Sequence, residues 1–118
     1  MKLVIAIIRP EKLDAVQIAL QGALDEGDHY RLTVQTIDGH GRQSGELEYF
    51  RGQAVRQRLV QKTQVMIAVN DQYVEPTIRA IVSAARTDGG EIGDGKIFVV
   101  PLEECIRIRT DERGGKAI

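Results

Sequence analysis

The sequence predicts an α+β sandwich, an antiparallel four-stranded sheet with two helices on one face. Two observations carry this. Short β-branched runs alternate with two amphipathic stretches in the order β-α-β, long loop, β-α-β. The chain has 118 residues, 42% hydrophobic and 28% charged, which fits one soluble globular domain spanning residues 1–118. A core of that size is small, so self-association can add to stability.

KLVIAIIR (2–9) reads as a strand buried on both faces, ended by Pro10. In 11–24, Leu13, Val16, Leu20 and Leu24 recur at helical spacing. DEGDHY (25–30) is a polar connector, and RLTVQTID (31–38) alternates as a second strand. Residues 39–62 hold four glycines and the arginines Arg42, Arg51, Arg56 and Arg58 with no clear apolar period. A loop this long inside a small domain usually signals function or disorder. TQVMIAVN (63–70) is a third strand. Asp71 is a candidate cap for the next helix, with Pro76 tolerable in its first turn. Val74, Ile78, Ile81, Val82 and Ala85 form that helix's apolar stripe. KIFVVP (96–101) is a fourth strand and CIRIRT (105–110) a short extended piece. The βαβ halves point to the split, ferredoxin-like arrangement.

Composition excludes several functions. The formal charge of −1 gives no support to nucleic-acid or membrane-surface binding. Three tyrosines, two phenylalanines and no tryptophan make a poor base-stacking platform. No apolar run approaches the roughly 20 residues that span a bilayer. No signal-peptide pattern opens the chain, and Cys105 stands alone without a disulfide or zinc framework. A cytoplasmic home is expected.

Three segments carry binding chemistry. GGEIGDGKIF (89–98) packs four glycines around Asp94 and Lys96. It lacks the P-loop spacing and lies between helix and strand in the reverse order, yet glycine backbone can form an anion-binding nest. The alternative is a flexible turn. In an extended CIRIRT, Arg107 and Arg109 fall on one face and could clamp a phosphate, or else pair with carboxylates. In GHGRQ, Gly39 and Gly41 let backbone approach a ligand, and Gln43 offers a carbonyl oxygen to a metal. Tyr49 and Phe50, an aromatic pair in a polar loop, could anchor a partner. His29 and His40 share no metal-ligand spacing, and no nucleophile is paired with a base. An enzyme is therefore not expected.

AIIRPEKLDAV, GHGRQSG, YFRG, AARTDGGEIGDGKIF and CIRIRTDERGGKAI together resemble the P-II nitrogen-regulatory signalling proteins along nearly the whole chain. The resemblance implies a homotrimer binding ATP or ADP in clefts between protomers. It implies nucleotide contacts from Gly41, Arg42, Gln43, Thr87, Gly93, Asp94, Gly95, Lys96, Arg107 and Arg109. Gln43 would help hold Mg²⁺ between ATP and 2-oxoglutarate, and Lys62 would pair with a 2-oxoglutarate carboxylate. Tyr49, Phe50 and Arg51 would belong to the partner-binding loop. Its target would be an ammonium-transporter type of membrane protein or a metabolic enzyme, with no nucleic acid and no membrane insertion. The chain also departs from the family pattern. Val55 stands where the uridylylated tyrosine falls, Gln53 where some members carry a phosphorylated serine, and Ala54 in place of an acidic residue. Met66 replaces a common Glu at the site edge. The alternative is a divergent adenine-nucleotide sensor without a 2-oxoglutarate response, regulating a process such as bicarbonate uptake.

Overall fold

The computed structural model describes residues 1–24, 31–40, 47–50, 53–56 and 59–118, with backbone alone for 47–50 and 53–56. β1 (Lys2–Ile8) leads through a 3-10 turn at Pro10–Lys12 into α1 (Leu13–Ala23) and then β2 (Leu32–Gly39). β3 (Leu47–Phe50), β4 (Gln53–Arg56) and β5 (Val60–Val69) follow, then α2 (Val74–Ala85) and β6 (Lys96–Pro101). The main sheet has the order β2-β5-β1-β6, every neighbouring pair antiparallel. Each helix therefore links two strands separated by a third, which is the expected split βαβ arrangement.

Alternation decides the core. Val4, Ala6 and Ile8 of β1 lie opposite Ile67, Val65 and Thr63 of β5. With Val16 and Leu20 of α1 and Ile81 and Ala85 of α2 they are almost wholly buried. Burying each such aliphatic side chain contributes roughly 1.5–3 kcal/mol. Leu24 and Leu13 extend the same stripe, as the spacing of α1 predicts.

The structure corrects several expectations. β1 is buried on one face, not both, because both helices pack on the side of Val4, Ala6 and Ile8. The register puts Ile5 between Met66 and Phe98, and Leu3 between Ala68 and Val100, on the other face. There Phe98 remains 48% exposed and Val100 41%.

The segment 39–62 is not wholly irregular. β3 and β4 pair antiparallel, Leu47 with Arg56 and Phe50 with Gln53. Strands of four residues are too short for a periodic signal to emerge against polar neighbours. β5 also begins at Val60, three residues before the expected Thr63, because Gly39 continues to pair with Val60.

Asp71 caps nothing with its side chain. It lies in a 3-10 turn, Asp71–Tyr73, and accepts from the Met1 ammonium at 2.7 Å. In α2 the buried positions are Thr77, Ile81 and Ala85, while Ile78 and Val82 turn toward the β6 side and are only half-buried. A threonine at a core position breaks the apolar stripe that sequence reading relies on.

Leu20→Ala is expected to lower the unfolding free energy by about 2–5 kcal/mol in chemical denaturation. Ile18→Ala, on the solvent side of the same helix and 70% exposed, should stay within about 0.5 kcal/mol.

Candidate functional site

The glycine-rich segment between α2 and β6 is a built loop. α2 ends as Arg86 turns extended, its N–H still bonded to the Val82 carbonyl. The Gly90 N–H then closes on the Thr87 carbonyl at 2.8 Å. Gly93 and Gly95 adopt φ of 99° and 104°, backbone that side-chain-bearing residues rarely take. Gly95 also packs directly on β1. A Cβ there would sit 2.8 Å from the Ile7 carbonyl carbon and closer still to its oxygen.

Asp94 braces this loop from inside. Its carboxylate accepts from the Thr87 N–H at 3.1 Å, the Thr87 hydroxyl at 3.1 Å, the Glu91 N–H at 3.0 Å and Arg9 Nε at 3.2 Å. The Glu91 N–H does most to hold the carboxyl down at about 2, against an opposing push from burial, with Thr87 and Arg9 adding to it. Asp94 and Thr87, both expected to meet nucleotide, thus bind one another and set the loop's shape.

Lys62, on β5, is 9% exposed and donates from Nζ to the Gly93 carbonyl at 2.7 Å. Burial lowers its pKa, and the positive charge of Arg9 lowers it further, while Glu11 and Asp94 oppose both. A cleft of about 360 Å³ opens beside it. Gly39 and His40 from the end of β2, Lys62, Gly93, Gly95 and Lys96 line it. No carboxylate does, among the described residues, so beside the apolar Ile7, Ile37 and Val60 the cleft presents two lysines and glycine backbone, a setting for an anion.

Five of the residues marked out in the sequence therefore converge: Gly39, Lys62, Gly93, Gly95 and Lys96. Gly41, Arg42, Gln43 and Arg51 lie outside the described residues, as do the side chains of Tyr49 and Phe50. The backbones of Tyr49 and Phe50 form part of β3.

Arg107 and Arg109 do not share a strand face. Only Ile106 forms a bridge, with Arg113, and residues 108–110 make a turn. The Asp111 N–H bonds back to the Arg107 carbonyl at 2.8 Å, which ends the period-two pattern. Arg107 pairs with Glu112 at 3.2 Å and donates to the Lys116 carbonyl at 3.1 Å, while Arg109 is exposed. Neither lines the cleft of its own chain.

Sequence reading missed Arg9, whose guanidinium reaches the glycine loop, and set His40 aside as a loop residue. Nothing local distinguishes an arginine at the end of an apolar strand; the contact spans 85 positions. Among the described residues no group of three or more His, Cys, Asp or Glu could hold a metal, and no helix is long and apolar enough to cross a membrane.

Fold and loop together define a ferredoxin-like α+β domain with a basic, glycine-walled cleft. The model of the family "Nitrogen regulatory protein P-II" matches residues 1–112. The chain is 49% identical over 118 residues to nitrogen regulatory protein GlnK1 of Methanosarcina mazei, covering all of this chain and 97% of that protein. It is 47% identical to nitrogen regulatory protein P-II 2 of Methanothermobacter thermautotrophicus, again over all of this chain and 97% of that one. It is 48% identical to the P-II protein of Nostoc punctiforme, over the full length of both. The chain belongs to the P-II nitrogen regulatory family, whose members are signal-transduction proteins and not enzymes.

Two outcomes follow from the loop. Gly95→Ala forces both strain and a clash with β1, so it should cost about 1–3 kcal/mol or more in thermal or chemical denaturation. Because the Asp94 carboxyl is held below its ordinary 3.8, its brace is fully present above that value and is lost as pH falls through about 2. Carboxyl-carbon NMR of Asp94 should follow that titration, and a midpoint at or above 3.8 would contradict the hydrogen-bond set described.

Proposed function

We propose that this chain is a homotrimeric, cytoplasmic sensor that binds ATP or ADP, with Mg²⁺ and 2-oxoglutarate, in clefts between protomers. Through the segment 39–62 it controls a membrane transporter of the ammonium type or an enzyme of nitrogen metabolism. The observation that carries this reading is the cleft in which Lys62 and Lys96 meet the glycine loop beside the end of β2.

Each part has a chemical role. Phosphate oxygens suit the glycine backbone, with Lys96 as a point charge. Lys62 already holds one oxygen acceptor, the Gly93 carbonyl, and a dicarboxylate could take that place with a stronger, charge-assisted bond. Mg²⁺ keeps several waters and needs few protein ligands beside substrate phosphates, so the single amide oxygen of Gln43 fits it. A second copy of the chain would supply Arg107 and Arg109. The sheet face bearing Ile5, Phe98 and Val100, on which neither α1 nor α2 packs, supports such an assembly.

The alternative keeps the nucleotide site without a 2-oxoglutarate response and serves a process such as bicarbonate uptake. Val55, in β4 opposite Glu48, offers no hydroxyl for uridylylation, which favours a control route unlike the usual one.

Calorimetric titration with Mg-ATP and Mg-ADP, with and without 2-oxoglutarate, separates these readings. Tighter ATP binding with 2-oxoglutarate is expected; indifference to it selects the alternative, and no nucleotide binding overturns both. Lys62→Ala should abolish the 2-oxoglutarate effect and spare nucleotide affinity. Persistent synergy would remove Lys62 from the proposed role.

A further inference from the structure

Arg9 follows β1 and immediately precedes Pro10, with the backbone held extended at φ −65° and ψ 138°. From there its side chain runs to the glycine loop and meets it at three residues. Nε donates to Asp94 Oδ1 at 3.2 Å, Nη2 donates to the Ile92 carbonyl at 3.0 Å, and the Glu91 carboxylate lies 3.6 Å from Nη2. The Arg9 side chain is only 14% exposed, whereas Glu91 is 64% exposed. The fork of the guanidinium is rigid and planar, so two donors fixed on Asp94 and Ile92 fix the backbone between them as well. That backbone includes Gly93, whose carbonyl receives Lys62. A continuous path of hydrogen bonds and backbone thus joins Arg9, Asp94, Gly93 and Lys62.

We propose that Arg9 is a positioning residue. It holds residues 92–95 in the conformation that presents loop backbone to a polyphosphate and the Gly93 carbonyl to Lys62, acting through Asp94 and touching neither ligand. This rests on the nucleotide reading above for its ligand, but not for its structural half. The same placement puts the positive charge of Arg9 near enough to Lys62 to disfavour the lysine's charged form.

The test is a double-mutant cycle on the whole chain, with Arg9→Gln, Asp94→Asn and the two combined. Mg-ATP affinity is read by calorimetry, and ligand-free amide exchange is read at Thr87 and Glu91. Each single substitution should weaken Mg-ATP by roughly 10-fold, the order expected for losing a hydrogen bond to a charged group. The double variant should be no weaker than the weaker single one, because both act through one brace. Both amides should exchange faster in Arg9→Gln than in the unaltered protein. Full additivity would overturn the proposal in favour of direct ligand contact, and unchanged affinity or unchanged exchange would overturn it outright. If the unaltered protein binds no Mg-ATP, the nucleotide reading fails, and the exchange comparison alone decides for or against the brace. Should Arg9→Gln not fold, Arg9→Lys carries the same cycle, since it keeps the charge and loses the fork.

Discussion

The carboxylate of Asp94 is the point on which the site depends. It gathers donors from the end of α2, from within the loop and from the end of β1. A glycine-rich loop left to itself would sample many conformations, since glycine loses more backbone freedom on ordering than any other residue. Charge-assisted hydrogen bonds to one buried-side carboxylate offset that cost. The Gly95 contact with β1 completes the arrangement by excluding every side chain at that position.

The two faces of the sheet divide the work. One face, carrying Val4, Ala6 and Ile8, is sealed by both helices and supplies the stability. The other carries Leu3, Ile5, Met66 and Phe98, and neither α1 nor α2 packs on it. Lys62 and Lys96 lie on strands of this same sheet, at its end nearest the glycine loop. An exposed apolar face and a basic cleft are therefore neighbours. That proximity gives a physical route by which assembly and ligand binding could inform one another.

Much of this was legible in the sequence. Leu13, Val16, Leu20 and Leu24 gave α1 correctly, because an amphipathic stripe is a local signal. The glycines at 93 and 95 and the lysines at 62 and 96 were marked out from residue chemistry and resemblance, and the fold brings all four to one cleft. What failed was whatever depended on a neighbour distant in sequence. β1 looked buried on both faces because its residues are apolar throughout, but burial depends on where the helices pack. Arg107 and Arg109 looked paired because alternating residues suggest a strand, yet Glu112 and the Asp111 turn draw the chain round. Thr77 was passed over in α2 since its hydroxyl disguises a core position. The bracing role of Asp94 has no local signal either, since its bond to Arg9 spans 85 positions.

The most direct measurement is a crystal structure of the protein grown with Mg-ATP and 2-oxoglutarate. The account predicts a trimer, phosphate oxygens within hydrogen-bonding distance of the 93–96 backbone and of Lys96, and the Lys62 ammonium moved from the Gly93 carbonyl onto a carboxylate. A nucleotide bound elsewhere, with Lys62 still on Gly93 and the loop bare, would contradict it.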